Sequence, residues 1–247
     1  MLEKILGPNS VLEALRAGRR NLEKIYIRKE RRGQKIAEII GLAKIKGIII
    51  KFMERDELNR IAGTQFHQGI MAIAAEVPYW EPEDILTLAK VKQSPFFLVL
   101  DGIKDPQNLG SIIRTAEAAG VDGIILPRHR AVGLTSTVAK VACGALEHVK
   151  VCRVTNIPGF LDRMKKEGIW VVGADVPGSR SIYEVNLIGP LALVIGGEDT
   201  GLKPLVRRKC DVIVSIPMEG SISSLNAAVA GAIIIYEVVR QRKTEKI

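Results

Sequence analysis

The sequence lacks the features of a membrane or secreted protein. No run of apolar residues approaches the roughly 18 that a membrane-spanning helix requires. The first segment contains Glu3, Lys4 and a Gly-Pro pair in place of the apolar core of a secretory signal. Its three cysteines are far apart and odd in number, which is typical of a reducing compartment rather than a disulfide framework. We therefore expect a cytosolic protein with no membrane partner.

Motifs for the common nucleotide and metal sites are also missing. No G-x-G-x-x-G follows an apolar segment, which argues against a dinucleotide-binding Rossmann domain. The segment GGEDTGLK is similar to a phosphate-binding P-loop, but Leu202 stands where a lysine is required, so ATP hydrolysis is excluded. Cys143, His148 and Cys152 lack the fourth ligand and the paired spacing of a zinc site. We expect no bound metal.

The charge of the chain is basic and unevenly distributed. The net charge is +9, and residues 1–75 carry 15 Lys and Arg against 8 Asp and Glu, whereas residues 76–247 carry 21 against 19. Such an excess favours a polyanionic partner such as nucleic acid, although a merely soluble basic surface is the simpler alternative. If RNA or DNA binds, the first third of the chain should supply most of the contacts.

Apolar segments alternate with helical patterns along the whole chain. Before residue 76 the pattern predicts a small α/β unit, with one helix ending at Gly18. The segment EVPYWEPEDILTLAKVKQSP contains three prolines and is predicted to be a linker with a short helix over residues 85–89. After it, continuous apolar strands alternate with helices, the last of them over residues 224–240. This alternation indicates a parallel sheet covered on both faces.

Three polar segments follow apolar strands in the second part of the chain. In DGIKDPQNLGSIIRTAEAAG, Asn108 can cap a helix that carries Arg114. In GGEDTGL, paired glycines allow a close backbone approach and Glu198 offers a carboxylate. In IPMEGSISSLNAAVAGA, apolar side chains precede the polar groups of Ser224 and Asn226.

Each of these segments alone is equally well explained as a capped helix or a glycine-rich turn. The carboxyl ends of parallel strands lie at one edge of a sheet, however, so the three segments together predict a ligand-binding crevice.

In this order, the stretches DPQNLGSIIRTAEAAG, LVIGGEDTGL and IPMEGSISSLNAAVAGAIIIYE resemble the SpoU branch of the SPOUT methyltransferases, the TrmH-like 2′-O-ribose RNA methyltransferases. GPNSVLEAL and FHQGIMA are similar to the ends of the L30e-like domain found in members that methylate a guanosine of 23S rRNA. The resemblance implies an L30e-like RNA substrate-binding α/β domain over residues 1–77, a linker over 78–94 and a methyltransferase domain over 95–247. In that family the last domain has a mostly parallel sheet and a deep trefoil knot.

The resemblance also implies a chemistry and a partner. S-adenosylmethionine should bind in the knot, and the protein should form a homodimer through the same domain. The residues implied to contact the cofactor are Gly196, Gly197, Ile216, Met218, Ser224 and Leu225. Arg114 should be catalytic, with Asn108, Glu198 and Asn226 orienting it and the ribose.

Two roles for Arg114 remain open from the sequence. It can act as a general base, or it can hold a phosphate and stabilise the developing alkoxide. The second role is chemically easier because a guanidinium group rarely gives up its proton in a protein.

The basic residues of the first domain are candidate phosphate contacts, with a solvated charged face as the alternative for each. They are Arg16, Arg19, Arg20, Arg28, Lys29, Arg31 and Arg32. Two further functions stay open: methylation of tRNA instead of rRNA, and a non-catalytic, ribosome-associated RNA-binding protein with the same fold. The complete set of motif residues argues against the second.

Overall fold

The computed structural model describes residues 2–175, 180–198 and 200–244, and the chain divides into two compact units. The first unit comprises Met1–Pro78 and Leu134–His148, and the second comprises Tyr79–Gly133 and Val149–Ile247. The predicted bounds differ from this division in two places: residues 134–148 of the predicted domain 95–247 belong to the first unit, and residues 79–94 of the predicted linker belong to the second. No described helix is both long enough and apolar enough to cross a membrane.

The first unit is built on a four-stranded sheet in the order β1-β4-β2-β3. Strand β4 is antiparallel to β1 and β2, and β2 is parallel to β3. The strands are β1 (Leu2–Leu6), β2 (Leu22–Arg28), β3 (Ile49–Met53) and β4 (Ile70–Ala75). The helices that follow them are α1 (Pro8–Ala17), α2 (Gln34–Ile45) and α3 (Arg55–Ala62). Helix α1 ends as predicted at Gly18, whose φ of 62° is the left-handed conformation that glycine adopts readily.

The second unit contains a seven-stranded sheet in the order β7-β6-β5-β10-β8-β11-β9, and every pair in it is parallel. Its strands are β5 (Phe96–Asp101), β6 (Gly123–Pro127), β7 (Val151–Val154), β8 (Trp170–Ala174), β9 (Arg180–Ser181), β10 (Leu191–Gly196) and β11 (Val212–Ser215). Its helices are α4 (Pro82–Val91), α5 (Pro106–Ala118), α7 (Ile157–Lys166), α8 (Pro204–Lys209) and α9 (Ala227–Thr244). The central strands β5 and β10 are buried throughout, as expected for a sheet covered on both faces.

Helix α4 occupies most of the segment predicted to be a linker. Its residues Ile85, Leu86 and Ala89 are buried in the core of the second unit. Three prolines and many charges made this segment resemble a connection, but one apolar face of the helix is enough to fix it on the sheet.

The segment 134–148 contains helix α6 (Ser136–Val141) and a 3₁₀ turn (Ala145–Glu147). A buried ion pair joins this turn to the rest of the first unit, because the Arg20 guanidinium contacts the carboxylates of both Glu3 and Glu147. The side chains of Arg20 and Glu147 are each only 2% exposed. Burial raises the pKa of the Glu147 carboxyl, and the charge of Arg20 opposes that rise.

Helix α9 begins at Ala227, three residues later than predicted. The Asn226 side chain explains this start, because its Oδ1 accepts hydrogen bonds from the backbone N–H groups of Ala228 and Val229 at 2.9 and 3.3 Å. Ser223 and Ser224 therefore lie in the preceding loop. Near the other end of α9, Gln241 bonds the backbone of residues 185 and 187, which fixes the helix to the segment before β10.

Candidate active site

A cavity of about 790 Å³ lies at the carboxyl ends of β8, β10 and β11. The loop between β11 and α9 and the first turns of α9 close its sides. All six residues implied to contact the cofactor line this cavity: Gly196, Gly197, Ile216, Met218, Ser224 and Leu225. The structure therefore brings together residues that lie up to 29 positions apart in the sequence, from Gly196 to Leu225.

The two glycines after β10 are required by contacts between backbones. A Cβ atom on Gly196 would lie 2.1 Å from the carbonyl carbon of Gly201, and one on Gly197 would lie 2.8 Å from the carbonyl oxygen of Gly102. No side chain fits at either distance. The sequence suggested that these glycines admit a ligand. Their packing shows that Gly196 lets the loop after β10 fold back on itself, and that Gly197 lets this loop meet the loop after β5.

Three predicted catalytic residues form one chain of hydrogen bonds. Asn226 Nδ2 donates to Asn108 Oδ1 at 2.9 Å, and Asn108 Nδ2 donates to Glu198 Oε1 at 2.8 Å. The amide orientations follow from the network, since Asn226 Oδ1 already accepts two backbone N–H groups of α9. The chain thus links α9, α5 and the loop after β10 at the edge of the cavity.

The Glu198 carboxyl has a pKa below its ordinary value. Burial is the largest influence and opposes ionisation, but a hydrogen bond from Asn108 and others from nearby backbone N–H groups, including those of Lys104 and Asp105, outweigh it together. Glu198 is therefore an ionised acceptor at neutral pH. Donors from Asn108 and from the neighbouring backbone occupy its oxygens.

Arg114 lies apart from this chain. It is exposed on α5, six residues after Asn108, which places it about 9 Å further along the helix and about 120° around it. Arg114 is not one of the described residues that line the cavity. The structure thus brings together three of the four predicted catalytic residues within the chain.

Two acidic residues at strand ends were not predicted. Asp101, which ends β5 and is buried, accepts hydrogen bonds from the backbone N and the Nζ of Lys203 at 3.0 and 2.5 Å. Asp175 follows β8, lines the cavity and is paired with Arg207. An acidic residue directly after an apolar segment was the available sequence signal. The pairs tie the loop and helix after β10 to neighbouring strands.

Comparison with known families identifies this arrangement. Residues 95–236 match the SpoU rRNA Methylase family, and residues 4–80 match the family described as RNA 2′-O ribose methyltransferase substrate binding. The chain belongs to the SpoU rRNA methylase family. It is therefore an RNA methyltransferase, and the predicted fold class, a knotted mostly parallel α/β domain with a separate substrate-binding domain, is confirmed.

Relatives of this SpoU chain match it over nearly its full length. A Bacillus subtilis protein, YacO, named for the TrmH family of tRNA/rRNA methyltransferases, is 44% identical and the match covers 96% of this chain and 95% of YacO. The 23S rRNA (guanosine-2′-O-)-methyltransferase RlmB of Coxiella burnetii is 40% identical, with coverage of 98% and 97%. The solved structure of the SpoU methyltransferase AviRb from Streptomyces viridochromogenes, in complex with AdoMet, superposes with a TM-score of 0.81 at 27% identity, covering 98% of this chain and 91% of AviRb.

The predicted phosphate contacts of the substrate-binding unit fall into different environments. Arg32 is exposed, and Arg28 and Arg31 are half-buried. Arg16 and Lys29 are exposed but paired, Arg16 with Glu13 and Glu38 and Lys29 with Glu54. Arg19 donates to the carbonyls of residues 146 and 147. Arg20 must be removed from the set, because its guanidinium is buried between two carboxylates and cannot reach a phosphate. Across the described residues, no group of three or more His, Cys, Asp or Glu could hold a metal ion.

Proposed function

We propose that this protein transfers a methyl group from S-adenosylmethionine to the ribose 2′-hydroxyl of a guanosine in 23S rRNA, in the cytoplasm. The observation that carries the proposal is the Asn226–Asn108–Glu198 chain at the edge of a glycine-walled cavity. It occurs in a chain that aligns from end to end with RlmB. Residues 1–77 act as the domain that binds the RNA substrate.

The cavity has the size and chemistry of a cofactor site. Its volume of about 790 Å³ lies in the upper part of the range for small-molecule pockets, roughly 300–1,000 Å³. Ile216, Met218 and Leu225 supply apolar surface for a flat base, while Ser224 and exposed backbone supply polar partners. When bound, S-adenosylmethionine supplies a methyl group already activated by a positively charged sulfur.

The residues of the chain act on the weaker reactant, the neutral ribose hydroxyl. Asn108 is held between Asn226 and Glu198 by hydrogen bonds. It forms a rigid edge of the site against which the ribose is aligned. Arg114 holds the adjacent phosphate and stabilises the negative charge that develops on the 2′-oxygen. A guanidinium does this without losing its own proton, because it stays protonated in proteins.

We also propose that the protein acts as a homodimer through its second unit. Val229 and Tyr236 on α9 and Tyr183 before β10 are each about half exposed, at 49%, 49% and 55%. Large apolar side chains on one helix and the segment beside it are typical of an interface. Sedimentation should show a dimer, and Tyr236→Glu should shift it toward the monomer.

The proposed activity is tested by transfer of labelled methyl groups to separate pools of rRNA and tRNA. Digestion of the product to nucleosides should give 2′-O-methylguanosine from 23S rRNA. Label in tRNA alone would favour the alternative substrate, which the name of YacO includes. Calorimetry should show that S-adenosylmethionine binds and that NAD and ATP do not. Cofactor binding without transfer to any RNA would overturn the proposal.

A further inference from the structure

The second unit carries a cluster of arginines outside the cavity described above. Arg128 and Arg130 follow β6 directly, and Arg153 lies near the carboxyl end of the neighbouring strand β7. Two shallow cavities of about 300 and 350 Å³ lie side by side at this position and have Arg128 and Arg153 in common. We call these three arginines the arginine patch.

Several cations of the second unit are paired with carboxylates, whereas the arginines of the patch are not, within the described part of the chain. Typical pairs are Arg163 with Glu83 at 2.6 Å and Lys203 with Asp101 at 2.5 Å. Across residues 2–175, 180–198 and 200–244, no carboxylate pairs with any of the three patch arginines. The nearly balanced charge of residues 76–247 therefore conceals a local positive surface.

Arg153 is held in place by contacts that leave N–H groups of its own guanidinium without a hydrogen-bond acceptor. Its Nη2 donates to the backbone carbonyl of Arg128, and its guanidinium lies 5.2 Å from the centre of the Tyr79 ring. Its Nε is buried and has no hydrogen-bond partner among the described residues. Such an arginine is already oriented, so little conformational freedom is lost when it binds an anion.

The arginine patch lies on the same edge of the sheet as the proposed active site. The Val132 backbone N–H donates to the carbonyl of Ile103 at 2.9 Å, which joins the loop after β6 to the loop after β5. That second loop packs against Gly197 at the cavity, as described above. Three strand spacings separate β7 from β10, a distance on the order of 15 Å, which a few nucleotides can span.

We propose that the arginine patch binds the phosphodiester backbone of the substrate RNA beside the nucleotide that is methylated. This inference rests on the proposed function. It assigns RNA contacts to the second unit, for which the nearly balanced net charge predicts few such contacts. Guanidinium groups match the oxygens of a phosphate with two parallel hydrogen bonds. Two adjoining shallow cavities that share arginines fit successive phosphates of a strand better than one enclosed small molecule.

Removal of patch arginines tests the proposal through RNA binding itself. Arg128→Ala and Arg153→Ala should each weaken binding of a 23S rRNA fragment about tenfold. Each should also reduce the slope of log affinity against log salt by about one. At saturating RNA, the rate of methyl transfer should stay near that of the wild type, while the KM for RNA rises. Arg208→Ala is the matched control, because Arg208 is an exposed arginine on α8 that lines neither of the two cavities.

A substitution that is expected to strengthen RNA binding makes the test independent of damage to the loop. Glu81 lines the smaller of the two cavities, where its carboxylate repels a phosphate. Glu81→Gln should therefore strengthen RNA binding by a few fold, a gain that misfolding cannot produce. Arg128→Lys should recover most of the salt slope that Arg128→Ala loses, because it restores the charge.

The outcomes separate this proposal from the proposed function. If wild-type protein methylates rRNA but the Arg128→Ala and Arg153→Ala proteins bind the fragment with unchanged affinity and salt slope, the patch proposal is wrong and the enzyme assignment stands. If wild-type protein binds RNA through these arginines but transfers no methyl group, the assignment fails and the patch stands. Equal losses in the Arg208→Ala control would also overturn the patch, because any positive charge would then serve.

Discussion

Residues 1–75 and 76–247 hold 15 and 21 cationic side chains, but the numbers of carboxylates that accompany them, 8 and 19, differ far more. In the second unit several cations form ion pairs with carboxylates at or near strand or helix ends, as Lys203 does with Asp101. In the first unit, cations such as Arg32 have no carboxylate partner among the described residues. Net charge therefore indicates which unit can bind RNA strongly, whereas only the ion pairs indicate which individual side chains remain available.

Arg114 provides the sharpest way to separate chemistry from binding in the second unit. Arg114→Ala should lower the rate of methyl transfer by about 1,000-fold or more, because its charge acts on the transition state. Cofactor affinity should stay nearly unchanged, since Arg114 does not line the cavity among the described residues. Single-turnover kinetics and calorimetry measure the two quantities.

Arg114→Lys distinguishes a planar fork from a point charge, and it should also be poor. Activity near that of the wild type in the lysine protein would contradict the proposed dual contact with phosphate and oxygen.

Arg20 tests the first unit, where one arginine of the predicted RNA-binding set has a structural position instead. Arg20→Ala leaves the buried carboxylate of Glu147 without its main partner and should cost about 3–5 kcal/mol of unfolding free energy. Burial already raises the pKa of Glu147, so the stranded group is most costly when ionised. Stability should therefore fall as pH rises, and the loss should be larger at about pH 8 than at about pH 5.

Urea unfolding at the two pH values measures this loss. The control is Arg32→Ala, an exposed site, which should change stability by less than about 0.5 kcal/mol. If both substitutions have the same small effect, Arg20 returns to the set of candidate phosphate contacts.

Asn108 tests whether the hydrogen-bond chain of the second unit positions the reaction. Asn108→Asp removes the donor to Glu198 and sets two carboxylates against each other, so methyl transfer should fall about 100-fold. Gln107→Ala on the same helix is the control, because its side chain is exposed. The double substitution Asn108→Asp with Glu198→Gln restores a donor facing an acceptor and should recover part of the lost rate. No recovery would show that the chain is not the reason for the loss.

Much of the architecture was predictable because it depends on local pattern. Continuous apolar segments identified β5 and β10, and Gly18 marked the end of α1 correctly. The apolar spacing in STVAKVACGAL is typical of a helix. Periodicity shows that a face is buried but not what buries it, so the membership of this segment in the first unit could not be inferred. For the same reason the sequence predicted a helix in the linker but not that this helix packs into the core of the second unit.

The site was partly predictable for a different reason. Asn108, Glu198 and Asn226 lie far apart in sequence, and the parallel strand order together with the family resemblance indicated that they meet. The ion pairs could not be predicted from the sequence. Arg19 and Arg20 are adjacent and chemically identical, and only the three-dimensional position of Glu147 makes one of them a buried structural residue.

The smallest expected effect concerns whether position or charge count governs RNA binding in the first unit. Arg32→Ala and Arg60→Ala remove the same charge from exposed sites, but only Arg32 belongs to the predicted contact set beside β2. Arg32→Ala should weaken rRNA binding by a few fold and reduce the salt slope by about one. Arg60→Ala should change the affinity only slightly, through the weaker long-range field that salt screens within about 10 Å at about 0.1 M. A filter-binding salt series on both proteins decides the question. If the two salt series coincide, net charge alone attracts the RNA. The first unit then contributes a long-range electrostatic field rather than a defined RNA-binding site.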